Sequence, residues 1–285
     1  MRLGKHTFTA PEPLVMAVVN RTRDSFYDQG ATFRRAAALE RVDRVVAEGA
    51  AIVDVGGVKA GKGELVDVAE EIRRVVSFVA EVRERHPSVA ISVDTWRAPV
   101  AREACQAGAS LLNDTWGGAD PELAEVAAEY GVGLVCAHPG PQSPRTDPYR
   151  VHYPDVVADV VARVTGLAER AVSLGVPPES VLIDPAHDFG KNTRHSLEIT
   201  RRLDELVATG WPVLVALSNK DFVGETLNLP TDQRLFGTLG ATAVAAWHGA
   251  RVFRAHQVAE TLQVLRMVAS IRGERPPAVS RRGLA

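Results

Sequence analysis

The sequence predicts a single (β/α)8 barrel, an α/β fold whose ligand site lies at the carboxyl ends of its strands. Three observations carry this expectation. Eight short runs rich in Val, Ile and Leu alternate with longer segments whose apolar residues recur at three- and four-residue spacing, the signature of repeated strand–helix units. The runs are apolar at nearly consecutive positions, as strands buried on both faces must be. Each run ends in polar residues, which a closed parallel barrel gathers at one mouth. A chain of 285 residues matches one barrel of roughly 250 residues, so residues 1–285 are read as one domain. A doubly wound open sheet is the alternative.

The elements follow in order. The opening MRLGKHTFTAPEPL has no apolar core of a secretion signal, and no run approaches the roughly 20 residues of a membrane span, so a cytoplasmic location is expected. The strand runs are Leu14–Val19, Ile52–Val55, Val89–Val93, Leu111–Leu112, Gly133–Ala137, Val181–Ile183, Val213–Leu217 and Val252–Phe253. Among the helical segments are Arg34–Glu48, Ala69–Arg85, Pro121–Tyr130 and Asp155–Leu174. Gly237–Ala250 is small and apolar almost all round. A helix of that kind on an outer ring needs a cover, and a homodimer is the simplest; packing on its own barrel alone is the other reading. His138–Pro154 holds five prolines and is expected as a long loop near the mouth. The polar residues from Gly273 onward read as a frayed tail. Cys105 and Cys136 have no metal-type spacing and read as small buried residues in a reducing compartment. A formal net charge of −2 gives no global attraction to nucleic acid or an anionic membrane.

The polar strand ends suggest a ligand. They are Asn20, Asp94, Asn113, Asp184, Ser218-Asn219-Lys220 and, on the last strand, Arg254 and His256, with Asp54 inside the second run and His138 after the fifth. Thr95 and Asp114 are equally suited to capping helices. Carboxylates beside an amide suit a planar heterocycle bearing amidine-like N–H donors, because one carboxylate accepts two such bonds. Lys220 can donate to a ring carbonyl or nitrogen. Arg254 and His256 are two apart on a strand and so face one side. With Asn20 on the neighbouring strand they suit a phosphate or pyrophosphate. No His/Cys cluster of zinc type is present.

These residues resemble dihydropteroate synthase. The stretches MAVVNRTRDSF, IVDVGG, ISVDT, LIDPAHDFGKN, ALSNKD and RVFRAH carry the resemblance, in the family's order and spacing, over almost the whole chain. The family joins 6-hydroxymethyl-dihydropterin pyrophosphate to p-aminobenzoate. The resemblance implies that Asp94, Asn113, Asp184 and Lys220 hold the pterin, and that Asn20, Arg254 and His256 hold the pyrophosphate, with Asn20 near a magnesium ion. It also implies that Phe26, Phe189, Ser218 and Asn219 border the second substrate, an aromatic acid. Pyrophosphate leaves readily, so positioning and charge neutralisation would supply most of the rate.

The departures are as informative. Where the family has Glu-Ser-Thr-Arg-Pro-Gly after the second strand, this chain has Val58-Lys59-Ala60-Gly61-Lys62-Gly63. The family's Thr-Pro-Asp-Ser-Phe becomes Thr22-Arg23-Asp24-Ser25-Phe26, its Gly-Phe-Gly-Phe-Gly-Lys becomes Ala186-His187-Asp188-Phe189-Gly190-Lys191, and its Ser-Arg-Lys becomes Ser218-Asn219-Lys220. Trp96 and Trp116 replace smaller residues. All these changes surround the second substrate, while the pterin and pyrophosphate positions keep the family's residue types. The expectation is therefore a divergent paralog with an altered second loop and weak or no condensation activity. An authentic dihydropteroate synthase is the alternative. A methyltetrahydrofolate-dependent methyltransferase, which has no use for the pyrophosphate residues, is a more distant third.

Overall fold

The computed structural model describes residues 1–9, 12–22, 34–59, 61, 63, 65–141, 143–146 and 151–283. Eight parallel strands form the sheet: β1 (Leu14–Asn20), β2 (Ile52–Gly56), β3 (Ala90–Asp94), β4 (Leu111–Asp114), β5 (Gly133–Ala137), β6 (Val181–Asp184), β7 (Leu214–Ala216) and β8 (Val252–Ala255). β1 to β6 pair in chain order, and β8 lies between β7 and β1. The ring closes between β6 and β7 through a bridge from Ile183 to Val213 and a 3.0 Å hydrogen bond from the Ile183 N–H to the Pro212 carbonyl. That closure is the eight-stranded barrel rather than the open doubly wound sheet.

The helices are α1 (Arg35–Glu48), α2 (Val68–Arg85), α3 (Ala98–Gln106), α4 (Leu123–Tyr130), α5 (Val156–Ser173), α6 (Thr193–Arg201), α7 (Leu203–Val207), α8 (Asp221–Leu227), α9 (Leu235–Trp247) and α10 (Val258–Ile271). Sequence chemistry sets several of their starts. Asp67 caps α2, Asp155 caps α5, and Asn192 with His195 forms a capping box on α6, each satisfying N–H groups that lack a helical partner. Thr95 and Asp114 do not cap helices: they accept the N–H groups of Arg97 and Gly118 in the turns that follow their strands.

Alternation along the strands divides the interior into levels. Met16, Ile52, Ala90, Leu111, Val135, Leu182, Leu214 and Val252 are buried in one cluster with Leu3. They form the closed end of the barrel. Leu3 comes from a short N-terminal hairpin, Arg2–Leu3 paired with His6–Thr7, and a Cβ added to Gly133 would come within 2.7 Å of its side chain. The sequence reading did not anticipate this plug. Two residues further along, five of the eight strands present polar residues, Asp54, Ser92, Asn113, Asp184 and Arg254. The larger core fills the space between strands and helices. Cys105 and Cys136 are buried there, and burial pushes both thiols up, Cys105 to about 12.

Candidate ligand-binding site at the strand ends

A cavity of about 320 Å³ opens at the carboxyl ends of the strands. Register puts Asn20 beside Gly56, Gly56 beside Asp94, and Asp94 beside Asn113, so three of four neighbouring strands present polar groups at one level, with Gly56 leaving room between Asn20 and Asp94. From the far side β6 contributes Asp184 and the turn after β7 contributes Ser218 and Lys220, while β8 contributes Arg254, with His256 just beyond it. All of these line the cavity, and so do Phe189, Lys59 and Gly61. Phe26, Ala60 and Lys62 lie outside the described residues.

The floor is a charged network. The Arg254 guanidinium donates from Nε to Asp54 (2.7 Å) and from Nη2 to Asp94 (2.9 Å). Asp54 is fully buried and also accepts from Ser92 Oγ at 2.6 Å and Asn113 Nδ2 at 3.4 Å. Asp94 accepts from Thr115 Oγ1 at 3.0 Å. Burial pushes the Asp94 carboxyl up to about 7; Arg254 opposes the rise and Asp54 adds to it. Asp184 is raised by burial and pulled back chiefly by Lys220. Its Oδ1 accepts the Ala186 N–H at 2.7 Å, leaving Oδ2 without a donor among the described residues.

The rim is built by three turns. Lys220 donates from Nζ to the His187 carbonyl, and its ammonium lies 4.8 Å from the centre of the Phe189 ring. Phe189 meets Trp116 edge-on at 5.6 Å. His256 Nδ1 lies 3.0 Å from Ser218 Oγ, and that hydroxyl is 3.2 Å from Gln257 Oε1. The β6–α6 turn is fastened by Lys191, whose ammonium donates to the carbonyls of His138, Ala186 and Phe189 at 2.7, 3.2 and 2.8 Å. Burial draws this amine down to about 7.

One expected position is corrected. Asn219 does not border the cavity. It is 1% exposed, its backbone is left-handed at φ 57°, and its N–H donates to Thr238 Oγ1 at 3.0 Å. The turn points it beneath the rim, where its carbonyl accepts from Arg234 at 2.9 Å.

Several residues of the site were given no individual role from sequence. Asp54 is the inward residue two before the strand end, and alternation alone could have found it. Thr115 and Asp188 required the turn geometry. Trp116 stood out only as a bulky departure, and it proves to be the wall against which Phe189 rests. Thr146, from the proline-rich loop after β5, also lines the cavity. Arg145 of that loop donates to the Gly61 carbonyl at 3.4 Å, so the loop meets the altered second loop at the mouth.

Residues 16–256 match the family model described as pterin binding enzyme. The protein from Mycobacterium tuberculosis (strain ATCC 25618 / H37Rv) named inactive dihydropteroate synthase 2 is 62% identical over 276 residues, 95% of this chain and 87% of that one. The dihydropteroate synthase of Mycobacterium leprae (strain TN) is 39% identical over 262 residues, 89% of this chain and 92% of its own. Among solved structures, the Yersinia pestis dihydropteroate synthase with a sulfonamide drug complex superposes with a TM-score of 0.87 at 34% identity, covering 93% of this chain and 95% of that chain. With barrel, mouth and sequence in agreement, the chain belongs to the pterin-binding enzyme family, as a divergent dihydropteroate-synthase-like member.

Proposed function

We propose that this protein binds a reduced pterin in the depth of the mouth and its pyrophosphate at the rim, with weak or no condensation to p-aminobenzoate. The observation that carries the reading is the convergence of Asp94, Asn113, Asp184 and Lys220 from different strands on one cavity. Two carboxylates, an amide and an ammonium match the donor and acceptor edges of a pterin. Asn20, Arg254 and His256 adjoin them and supply the polar groups for the diphosphate.

Magnesium is proposed to enter with the pyrophosphate. Among the described residues no group of three His, Cys, Asp or Glu could hold a metal ion, so these residues form no all-protein cage. Magnesium commonly binds through substrate phosphates and few protein oxygens, and the Asn20 amide oxygen fits that role.

Reduced condensation is supported on three counts. Asn219, standing where the family has an arginine, is turned away from the cavity. A Cβ built on Gly61 would meet nothing within 4 Å among the described residues, and glycine adds backbone freedom where a closing loop must be ordered. Relatives about 60% identical carry the name inactive dihydropteroate synthase 2. A homodimer and a cytoplasmic setting complete the proposal.

Calorimetry with a dihydropterin analogue tests the ring site. Asp184→Ala removes a charged acceptor and is expected to weaken binding by about 1.5–3 kcal/mol, or roughly ten- to a hundredfold in Kd. No heat with the native protein would sink the assignment. A steady-state assay with pterin pyrophosphate and p-aminobenzoate tests the acceptor. Robust turnover that Lys59→Ala abolishes would mean that this lysine replaces the missing loop arginine.

A further inference from the structure

The turn joining β6 to α6 holds Ala186, Asp188 and Gly190 at positive φ, 50°, 69° and 58°. A left-handed backbone disfavours any residue with a Cβ, and the family pattern has glycine at position 188. Asp188 gains through its carboxylate what its backbone loses. Its Oδ2 accepts the N–H groups of Asp221 (2.7 Å) and Phe222 (3.3 Å). Its Oδ1 accepts from Ser196 Oγ at 3.1 Å, and its own N–H donates back to that hydroxyl.

Those two N–H groups open helix α8. The residue at its N-cap is Lys220, which provides no side-chain cap, since a lysine has no acceptor. The missing cap arrives from another loop. Lys220 is thereby held twice by consecutive residues: the chain after it by the Asp188 carboxylate, and its Nζ by the His187 carbonyl.

His187 itself adds no charge. Thr200 Oγ1 donates to the Ser196 carbonyl at 2.9 Å, so His187 Nε2 must donate to Thr200 Oγ1, and burial holds the imidazole neutral. The charged groups around Lys220 are Asp184 at the end of β6, Asp188 and Lys191 in the turn, Asp221 at the start of α8, and Arg254 on β8.

We propose that the Asp188 carboxylate is a positioning group for Lys220, acting both as the cap that α8 lacks and as an anion beside the ammonium. Burial lowers the Lys220 amine, and among the carboxylates that oppose this Asp188 comes first, ahead of Asp184. Asp188 therefore helps fix Lys220 in place and favours its charged form as a donor towards whatever fills the mouth. The inference depends on the pterin reading only for the identity of that ligand.

The test separates cap from charge. Asp188→Asn keeps an oxygen for the two N–H groups and tolerates the left-handed backbone, but it removes the anion. Asp188→Gly relieves the backbone and removes both. The Lys220 side-chain resonance, assigned with Lys220→Arg, is followed by NMR from neutral to alkaline pH, and binding of 7,8-dihydropterin is followed by calorimetry over the same range. We expect Asp188→Asn to melt close to the native protein while the Lys220 midpoint falls by about one unit. The alkaline limit of pterin binding should fall with it. Asp188→Gly should show both the lower midpoint and weaker binding at every pH. Asp188→Ser, a second neutral cap, serves if the asparagine variant does not fold. An unchanged Lys220 midpoint in the neutral variants would overturn the proposal and leave Asp188 as a helix cap alone. If the native protein gives no pterin heat, the pterin reading fails, while the Lys220 titration still decides the role of Asp188.

Discussion

Arg254 bridges Asp54 and Asp94 at the centre of the mouth, and this arrangement fixes the consequence of losing it. Removing one member of a buried ion network strands the opposite charge, at a typical cost of about 3–5 kcal/mol. Arg254→Ala is therefore expected to lower stability by that order. It should also abolish any rise in melting temperature on adding pyrophosphate and magnesium. Thermal unfolding with and without the two ligands reads both effects; an undiminished ligand shift in the variant would place the anion elsewhere. Asp94 supplies a second expectation. Its folded value, near 7, lies above that of an unfolded aspartate, so it favours the fold at acid pH, and this contribution is lost as pH rises through about 7. A neutral pterin donating N–H groups needs the ionised carboxylate, so pterin binding has the opposite sign. Below about 7 the complex must expel a proton, and affinity should fall towards tenfold per pH unit, with a plateau on the alkaline side. Calorimetry in buffers of different ionisation heat checks it, because proton release appears as a buffer-dependent enthalpy. A flat profile would mean that Asp94 does not accept from the ligand.

At the scale of elements, Leu3 shows what a two-residue strand can do. It is fully buried against the inward residues of the barrel's closed end. Leu3→Ala is expected to cost about 2–5 kcal/mol in urea unfolding, with pterin binding unchanged because the mouth lies at the opposite end. Equal stability would show that the hairpin is not a plug. The hairpin was illegible in the sequence because two-residue strands have no periodicity to detect. The eight barrel strands were legible because burial on both faces demands unbroken apolar runs. Strand ends were legible for the same reason in reverse: polarity interrupts each run where the barrel opens. The fate of Asn219 was not legible, because a single left-handed residue decides whether a side chain enters the cavity or dips beneath it. Nor was the capping of α8 by Asp188, which joins two turns 33 residues apart. Contacts of that kind leave no trace in local pattern.

The whole molecule has a polar mouth, an apolar closed end and one conspicuous outer face. On α9 the exposed residues are Phe236, Gly240, Val244 and Trp247, at spacings of four, four and three that form a single helical stripe. Met267 and Ile271 on α10, which packs beside α9, are exposed as well. The inner side of α9 is already occupied, with Thr238, Thr242, Ala245 and Ala246 buried, so packing on its own barrel leaves this stripe in water. Homo-oligomers most often close by a twofold axis that sets the same patch against itself. A straight stripe centred on glycine suits that geometry, because a Cβ built on Gly240 would meet nothing within 4 Å among the described residues and its absence lets a second helix approach closely. We therefore expect a homodimer in solution through α9 and α10. Val244→Asp places a charge at the middle of the stripe. Leaving that charge unpaired while losing a buried valine should weaken association by at least about 3 kcal/mol, or roughly a hundredfold. Light scattering after size exclusion reads the outcome, and pterin calorimetry on the monomeric variant shows whether the mouth works without the partner. A native protein that remains monomeric at its highest soluble concentration, or a Val244→Asp variant that remains a dimer, would move the interface away from this face. Either result would leave the stripe free for a different protein.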